Sequence, residues 1–176
     1  MFDAAAGPAA PLRAAFDVRP MGARDHARLE ALLGAVENFN RDEVEVALEL
    51  IDEAAGPPPG CEEYFVLVAE ADAASPLLGY ACFGPTPMTR ATFDLYWIAT
   101  LPAARGRGVG AALHDAVVRA VRTRGGRRIR VETSSKESYG ATQRFYDRVG
   151  YRQAGRVDNF YADGDHLLIL VHEVDA

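Results

Sequence analysis

The segment Arg105-Gly106-Arg107-Gly108-Val109-Gly110-Ala111 separates a strand-like run from a helix-like one. Before it, Thr92 to Leu101 is aromatic and β-branched, and Pro102 closes that run. After it, Leu113, Ala116, Val117, Ala120 and Val121 trace one helical face until Gly125-Gly126 ends the periodicity. Closely spaced glycines let a backbone approach a ligand, and a helix N-terminus offers N–H groups that favour phosphate oxygens. The segment therefore has the chemistry of a pyrophosphate cradle; a flexible surface connection is the plain alternative. A dinucleotide loop is a second alternative, because Gly106, Gly108 and Ala111 satisfy G-x-G-x-x-A and Glu132 lies twenty-one residues beyond Ala111. Against it, such a loop should follow its strand at once, whereas Leu101 to Arg105 intervene, and the chain has no room for a repeated βαβ series. No Gly-Lys-Ser/Thr follows, so a Walker loop is excluded.

Working outward, Arg128 to Thr133 alternates as a strand. Strand, helix and strand in that order make a crossover unit with its two strands parallel. Upstream, Tyr64 to Ala69 and Leu77 to Phe83 read as a hairpin. Earlier still, Phe16 to Arg19 reads as a short strand. Asp25 is placed to cap a helix with Leu29, Leu32, Leu33 and Val36 inside. Asn40 and Glu43 form a capping-box pattern opening a second helix, with Val44, Ala47, Leu48 and Ile51 as its inner stripe and Gly56 to Gly60 as its stop. Downstream, a short helix from about Ala141 to Val149, stopped by Gly150, precedes two strands that end in Leu167 to Val171. The sheet is therefore mixed.

With 176 residues, 49% of them hydrophobic and 25% charged, the chain fits one domain able to bury about 70% of its unfolded surface. Its net charge of −6 opposes a nucleic-acid partner. No run of eighteen apolar residues supports a membrane span. Cys61 and Cys82 make neither a disulfide framework nor a zinc spacing, which points to a reducing cytoplasm. His26, His114, His166 and His172 lack metal-ligand spacing, so no metal is expected. Met1 to Ala15 is rich in Ala, Pro and Gly, lacks the features of a secretory signal, and reads as a flexible leader.

Arg105-x-x-Gly108-x-Gly110 resembles the Q/R-x-x-G-x-G/A signature of the GNAT N-acetyltransferase family. Asp94 to Thr100 is similar in length and position to that family's fourth strand. Ala141 to Tyr146 with Val149-Gly150-Tyr151 resembles its A-x-x-F-Y…G-F/Y segment. The resemblance covers about half the chain, from Thr92 to roughly Tyr161. One departure is Tyr139, where the family often has Asn.

The resemblance implies a single α+β domain over residues 16–176, with a mixed, mostly antiparallel sheet of about seven strands. It implies acetyl-CoA as cosubstrate, held by Arg105, Gly106, Arg107, Gly108, Val109, Gly110 and Ala111, with the pantetheine arm and acetyl carbonyl along Ile98, Ala99 and Thr100. It also implies Tyr146 as the acid that protonates the departing thiolate, a role its phenol can fill chemically. Asp94 is the first candidate for the amine's proton, since an acid in an apolar run is expensive unless paired or functional; a water relay or a structural hydrogen bond is the alternative. Glu132 is the second candidate. Alternation places Asp94, Tyr96, Ile98 and Thr100 on one face and Leu95, Trp97 and Ala99 on the other.

Eight arginines lie between Ala103 and Arg130 against the single acid Asp115, and those other than Arg105 and Arg107 read as solvated faces. Ten acids against one base lie between Arg41 and Asp72, a field that would draw a cationic amine or serve solubility alone. Cys82 reads as core. Asp158 to Asp165 reads either as an acceptor-site loop or as a Gly-Asp hairpin turn.

The expected function is transfer of acetyl from acetyl-CoA to an amine, small molecule or protein, directly in a ternary complex. A non-catalytic acyl-CoA-binding regulatory module is the alternative, and an oxidoreductase half-domain a third reading. A homodimer is left open.

Overall fold

The computed structural model describes residues 16–37, 39–56 and 63–175. The leader expected over Met1 to Ala15, Cys61 and most of the Gly56 to Gly60 stop lie outside them. The strands are β1 (Asp17–Pro20), β2 (Phe65–Glu70), β3 (Gly79–Pro85), β4 (Thr92–Thr100), β5 (Arg128–Ser134), β6 (Arg152–Ala162) and β7 (Asp165–Glu173). The α-helices are α1 (His26–Gly34), α2 (Arg41–Ala55), α3 (Val109–Thr123) and α4 (Gly140–Arg148). The seven strands form one sheet in the order β1-β2-β3-β4-β5-β7-β6. Every pairing is antiparallel except β4 with β5, which α3 connects. The mixed sheet read from the periodicities and the α+β architecture that the resemblance implies are both observed.

Two apolar layers sandwich the sheet. On one face, Val109, Leu113, Val117 and Val121 of α3 and Tyr146 of α4 pack on Leu67, Ala81, Phe83, Leu95, Ile129 and Val131. On the other, Leu29, Leu32 and Leu33 of α1 with Ala47 and Ile51 of α2 cover Val66, Val68, Tyr80 and Cys82. Cys82 is core, and burial pushes its thiol up to about 12.

The capping box of α2 is real: Glu43 N donates to Asn40 Oδ1 at 2.9 Å and Asn40 N donates to Glu43 Oε2 at 2.8 Å. Asp25 behaves differently from its expected role, since its side chain does not cap α1. It is fully buried and instead accepts from Arg19, Arg28 and Gly22 N, while Glu70 of β2 accepts from Arg19, Arg24 and Arg28. This network ties α1 to β1 and β2. The Arg19 guanidinium lowers the Asp25 carboxyl to about 2, and the Arg19 and Arg28 guanidinium groups do the same for Glu70.

Strict alternation in β4 is overturned. Cys82 pairs with Trp97 and Phe83 with Leu95, so Tyr96 is the extra residue of a bulge. Leu95 and Ile98 therefore both pack toward α3, and Tyr96, Trp97 and Ala99 toward the opposite layer. The expected division of 94, 96, 98 and 100 from 95, 97 and 99 fails at this one inserted residue.

Candidate active site

The parallel seam between β4 and β5 is short: Thr92, Phe93 and Asp94 pair with Arg128, Ile129 and Arg130, and the register stops there. Beyond it the strands part. Tyr96 to Thr100 on one side and Glu132 and Thr133 on the other line a cleft of about 690 Å³. The cleft is completed by Arg105, Gly106 and Gly108 to Ala111 before and within α3, by Phe145, Tyr146 and Arg148 of α4, and by Phe39, Glu43 and Tyr139.

At its α3 end, Gly106 and Gly108 have φ of +75° and +82°, the left-handed region where a side chain is strained. Gly108 is the N-cap of α3, and the first helical bond runs from Ala112 N to Gly108 O at 3.0 Å. The N–H groups of Gly108, Val109, Gly110 and Ala111 thus stand outside the helix ladder at the cleft wall. Gly110 fits closely under α4, since a Cβ there would meet the Phe145 ring at 3.3 Å. Arg105 lines this end and pairs with Glu37 at 3.3 Å. Arg107, expected beside it, is exposed and outside the cleft.

Tyr146 lies in the cleft wall at 5% exposure, its ring edge-on to Tyr151 at 5.1 Å and tilted against Phe145 at 5.4 Å. Its hydroxyl has no hydrogen-bond partner among the described residues, and burial raises its phenol well above the usual range. Such a phenol keeps its proton until a stronger local base forms beside it. Behind Tyr146, Tyr151 packs against His114 and His172, and burial lowers the His114 imidazole to about 4. His114, which interrupts the apolar spacing of α3, is 2% exposed.

Asp94 is not brought to the cleft. It is 6% exposed, and Arg130 donates Nε to Oδ1 at 2.6 Å and a second guanidinium nitrogen to Oδ2 at 3.1 Å. Both oxygens are held in a bidentate fork by a fixed cation, and the side chain is directed to Arg130 and not into the cleft. The structural hydrogen bond weighed as an alternative is what is found. Glu132, two residues along β5 from Arg130, does line the cleft, and its side chain is 44% exposed. The eight-arginine region otherwise divides into ordinary contacts, with Arg124 over the Phe65 ring at 4.0 Å and Arg128 paired with Glu173.

The far end of the cleft holds residues that sequence reasoning did not assign. Tyr139 donates its hydroxyl to Glu43 Oε1 at 3.2 Å, across the 96 residues that separate them. Phe39 stands edge-on to Trp97 at 5.1 Å. Burial and the Glu43 charge push the Tyr139 phenol up to about 12. The one available signal was Tyr139 itself, an aromatic where the resembled motif has an amide. The loop carrying it is pinned by Ser134, Lys136 and Gln143: Ser134 Oγ donates to Asp165, Lys136 pairs with Asp165 at 3.1 Å and Gln143 donates to Ser134 O at 3.0 Å. Asp158 to Ala162 are the last residues of β6, Asp163-Gly164 make the hairpin turn into β7 at Asp165, and none of them lines the cleft.

A family model for the acetyltransferase (GNAT) domain matches residues 62–153, more than half the chain. The crystal structure of a protein assigned to the GNAT acetyltransferases, from Desulfovibrio desulfuricans, superposes with a TM-score of 0.84 at 36% identity, covering 91% of this chain and 99% of that one. The ribosomal-protein-S18-alanine N-acetyltransferase of Escherichia coli gives 0.70 at 15% identity, over 92% and 95%. An aminoglycoside 6′-N-acetyltransferase complexed with coenzyme A gives 0.70 at 16%, over 91% and 98%. No curated protein sequence matches the chain. The chain belongs to the GNAT acetyltransferase family, an acyl-CoA-dependent N-acyltransferase with acetyl-CoA as its cosubstrate. Among the described residues no helix is long and apolar enough to cross a membrane.

Proposed function

We propose that the protein transfers acetyl directly from acetyl-CoA to an amine, both bound together in the cleft where β4 and β5 part. The observation that carries this is the lining of that cleft. Arg105, Arg148 and the free N–H groups of Gly108 to Ala111 bring positive potential to it, and Glu43 and Glu132 bring negative potential. The first set suits a diphosphate and the second a cationic amine. The edge of β4 from Ile98 to Thr100, no longer paired to β5, offers backbone donors for the pantetheine arm and the thioester oxygen.

The amine nitrogen attacks the thioester carbon while the carbon–sulfur bond breaks. Tyr146 gives its proton to the leaving sulfur, and the amine's surplus proton passes to Glu132, directly or through a water. Asp94, fixed by Arg130, takes no part. Preorganised donors along β4 stabilise the charge that builds on the carbonyl oxygen by about 3 kcal/mol.

The test is thiol release from acetyl-CoA over a panel of amines, with Tyr146→Phe as the variant. Amine-dependent release that falls about a hundredfold or more in Tyr146→Phe is expected. Coenzyme binding with no release from any amine would replace catalysis with a binding module, and undiminished release in the variant would remove Tyr146 as the acid.

A further inference from the structure

We propose that the acceptor is an amine carrying a second, permanently protonated nitrogen, and that Glu43, fixed by Asn40 and Tyr139 at the far end of the cleft, selects it. This deepens the transfer reading above and rests on it.

The cleft holds two carboxylates on opposite walls, and their settings differ. Glu132 on β5 is open to solvent, with 44% of its side chain exposed and a 3.4 Å approach from Arg130 as its one charged contact among the described residues. Glu43 in the first turn of α2 is half-buried and tied at both oxygens: Oε2 accepts from Asn40 N at 2.8 Å and Oε1 from Tyr139 Oη at 3.2 Å. Neither bond neutralises its charge, and each oxygen keeps a further acceptor site. A carboxylate held rigidly in this way is a poor place for the reacting nitrogen, which must be neutral when it attacks. It is a good place for a nitrogen that stays charged, as an alkylammonium with a pKa of about 10 does at neutral pH.

The cleft that Glu43 lines is also rich in aromatic rings. The bulge at Tyr96 turns both Tyr96 and Trp97 toward this layer, and Phe39 meets Trp97 edge-on at 5.1 Å. Tyr139 completes the lining. Aromatic faces beside a carboxylate attract ammonium groups and give a neutral alkyl chain only apolar contact. The cleft's own cations, Arg105 and Arg148, belong with the glycine-loop and α4 walls, and among the described residues no salt bridge reaches Glu43.

The experiment measures thiol release from acetyl-CoA with putrescine and cadaverine against butylamine and pentylamine, and calorimetric binding of cadaverine to the protein saturated with coenzyme A. Native protein is expected to prefer each diamine by about tenfold to a hundredfold in kcat/KM, mainly through KM. Glu43→Gln keeps the capping box, because Gln serves that position as well as Glu, and removes the charge while its amide nitrogen donates to Tyr139 Oη in place of the acceptor. It is expected to bring the preference close to parity, whereas Glu49→Gln, an exposed charge on the same helix, leaves it intact. Tyr139→Phe, which frees Glu43 without discharging it, is expected to fall between the two. Equal kcat/KM for diamines and monoamines in the native protein, or a preference that survives Glu43→Gln, overturns the proposal. Cadaverine binding that depends on Glu43 with no thiol release supports the acceptor site while sinking the transfer reading; absence of both binding and release sinks both.

Discussion

Strands β4 and β5 share one seam with two unlike halves. Over Thr92 to Asp94 the ladder is closed, and Arg130 grips Asp94 so completely that a buried acid becomes a fastener. From Tyr96 to Thr100 the ladder is abandoned, and what lines the gap is backbone edge, aromatic rings, Glu132 and Tyr146. Two acids thus have unlike settings on one seam: Asp94 is paired with Arg130, and Glu132 lines the cleft. An acid in an apolar strand can be functional or paired, and the point at which pairing stops decides which.

The sharpest way to break this contrast is Glu132→Gln. If the open half carries the chemistry, kcat falls about a hundredfold or more while the thermal midpoint stays put. A lowered midpoint with unchanged kcat would place Glu132 with Asp94 among the fasteners.

The packing behind the open half gives the next largest effect. His114 sits at about 4 when folded against an ordinary value near 6.5, so the unfolded chain binds the proton first. Its contribution is fully present above pH 6.5 and is lost as the pH falls toward 4, approaching about 3 kcal/mol. Asp25 and Glu70, lowered to about 2, act in the window below, from about pH 4 downward. Midpoints measured against pH in native protein and in His114→Phe check this: the variant is expected to lose the slope between pH 6.5 and 4 and to keep the lower one.

Asp94→Asn tests the closed half. Removing the charge leaves the Arg130 fork poorly matched and is expected to cost about 2 kcal/mol of stability, with turnover per folded molecule retained. Turnover lost at constant stability would return Asp94 to the site. The smallest effect belongs to Gly108→Ala. Space is open around that position, but φ of +82° makes a Cβ strained by about 1–2 kcal/mol, so the expected result is a several-fold rise in KM for acetyl-CoA with little change in kcat.

The strands, helices and glycine loop were legible because each rests on local pattern: the 3.6-residue stripe of α3, the Asn40–Glu43 box, the Gly108 turn. The cleft lining was legible where a motif was contiguous, as at Gly108 to Ala111 and Tyr146. What escaped depends on register between distant segments. Nothing near Asp94 announces that Arg130 will lie directly beside it, and nothing near Glu43 announces Tyr139. The bulge at Tyr96 escaped for a related reason, since one extra residue is invisible to a period of two yet moves every later side chain to the other face. His114 carries no signal beyond its lack of metal-ligand spacing, and its burial beside Tyr151 and His172 comes from packing alone.

The central claim, that the parting of β4 and β5 creates the acetyl-CoA site, is tested most directly by a crystal structure of the complex with acetyl-CoA. Diphosphate oxygens are expected on the N–H groups of Gly108 to Ala111, the thioester oxygen on the β4 edge between Ile98 and Thr100, and its sulfur beside the Tyr146 hydroxyl. A coenzyme bound elsewhere, with the α3 N-terminus free of any anion, would contradict it.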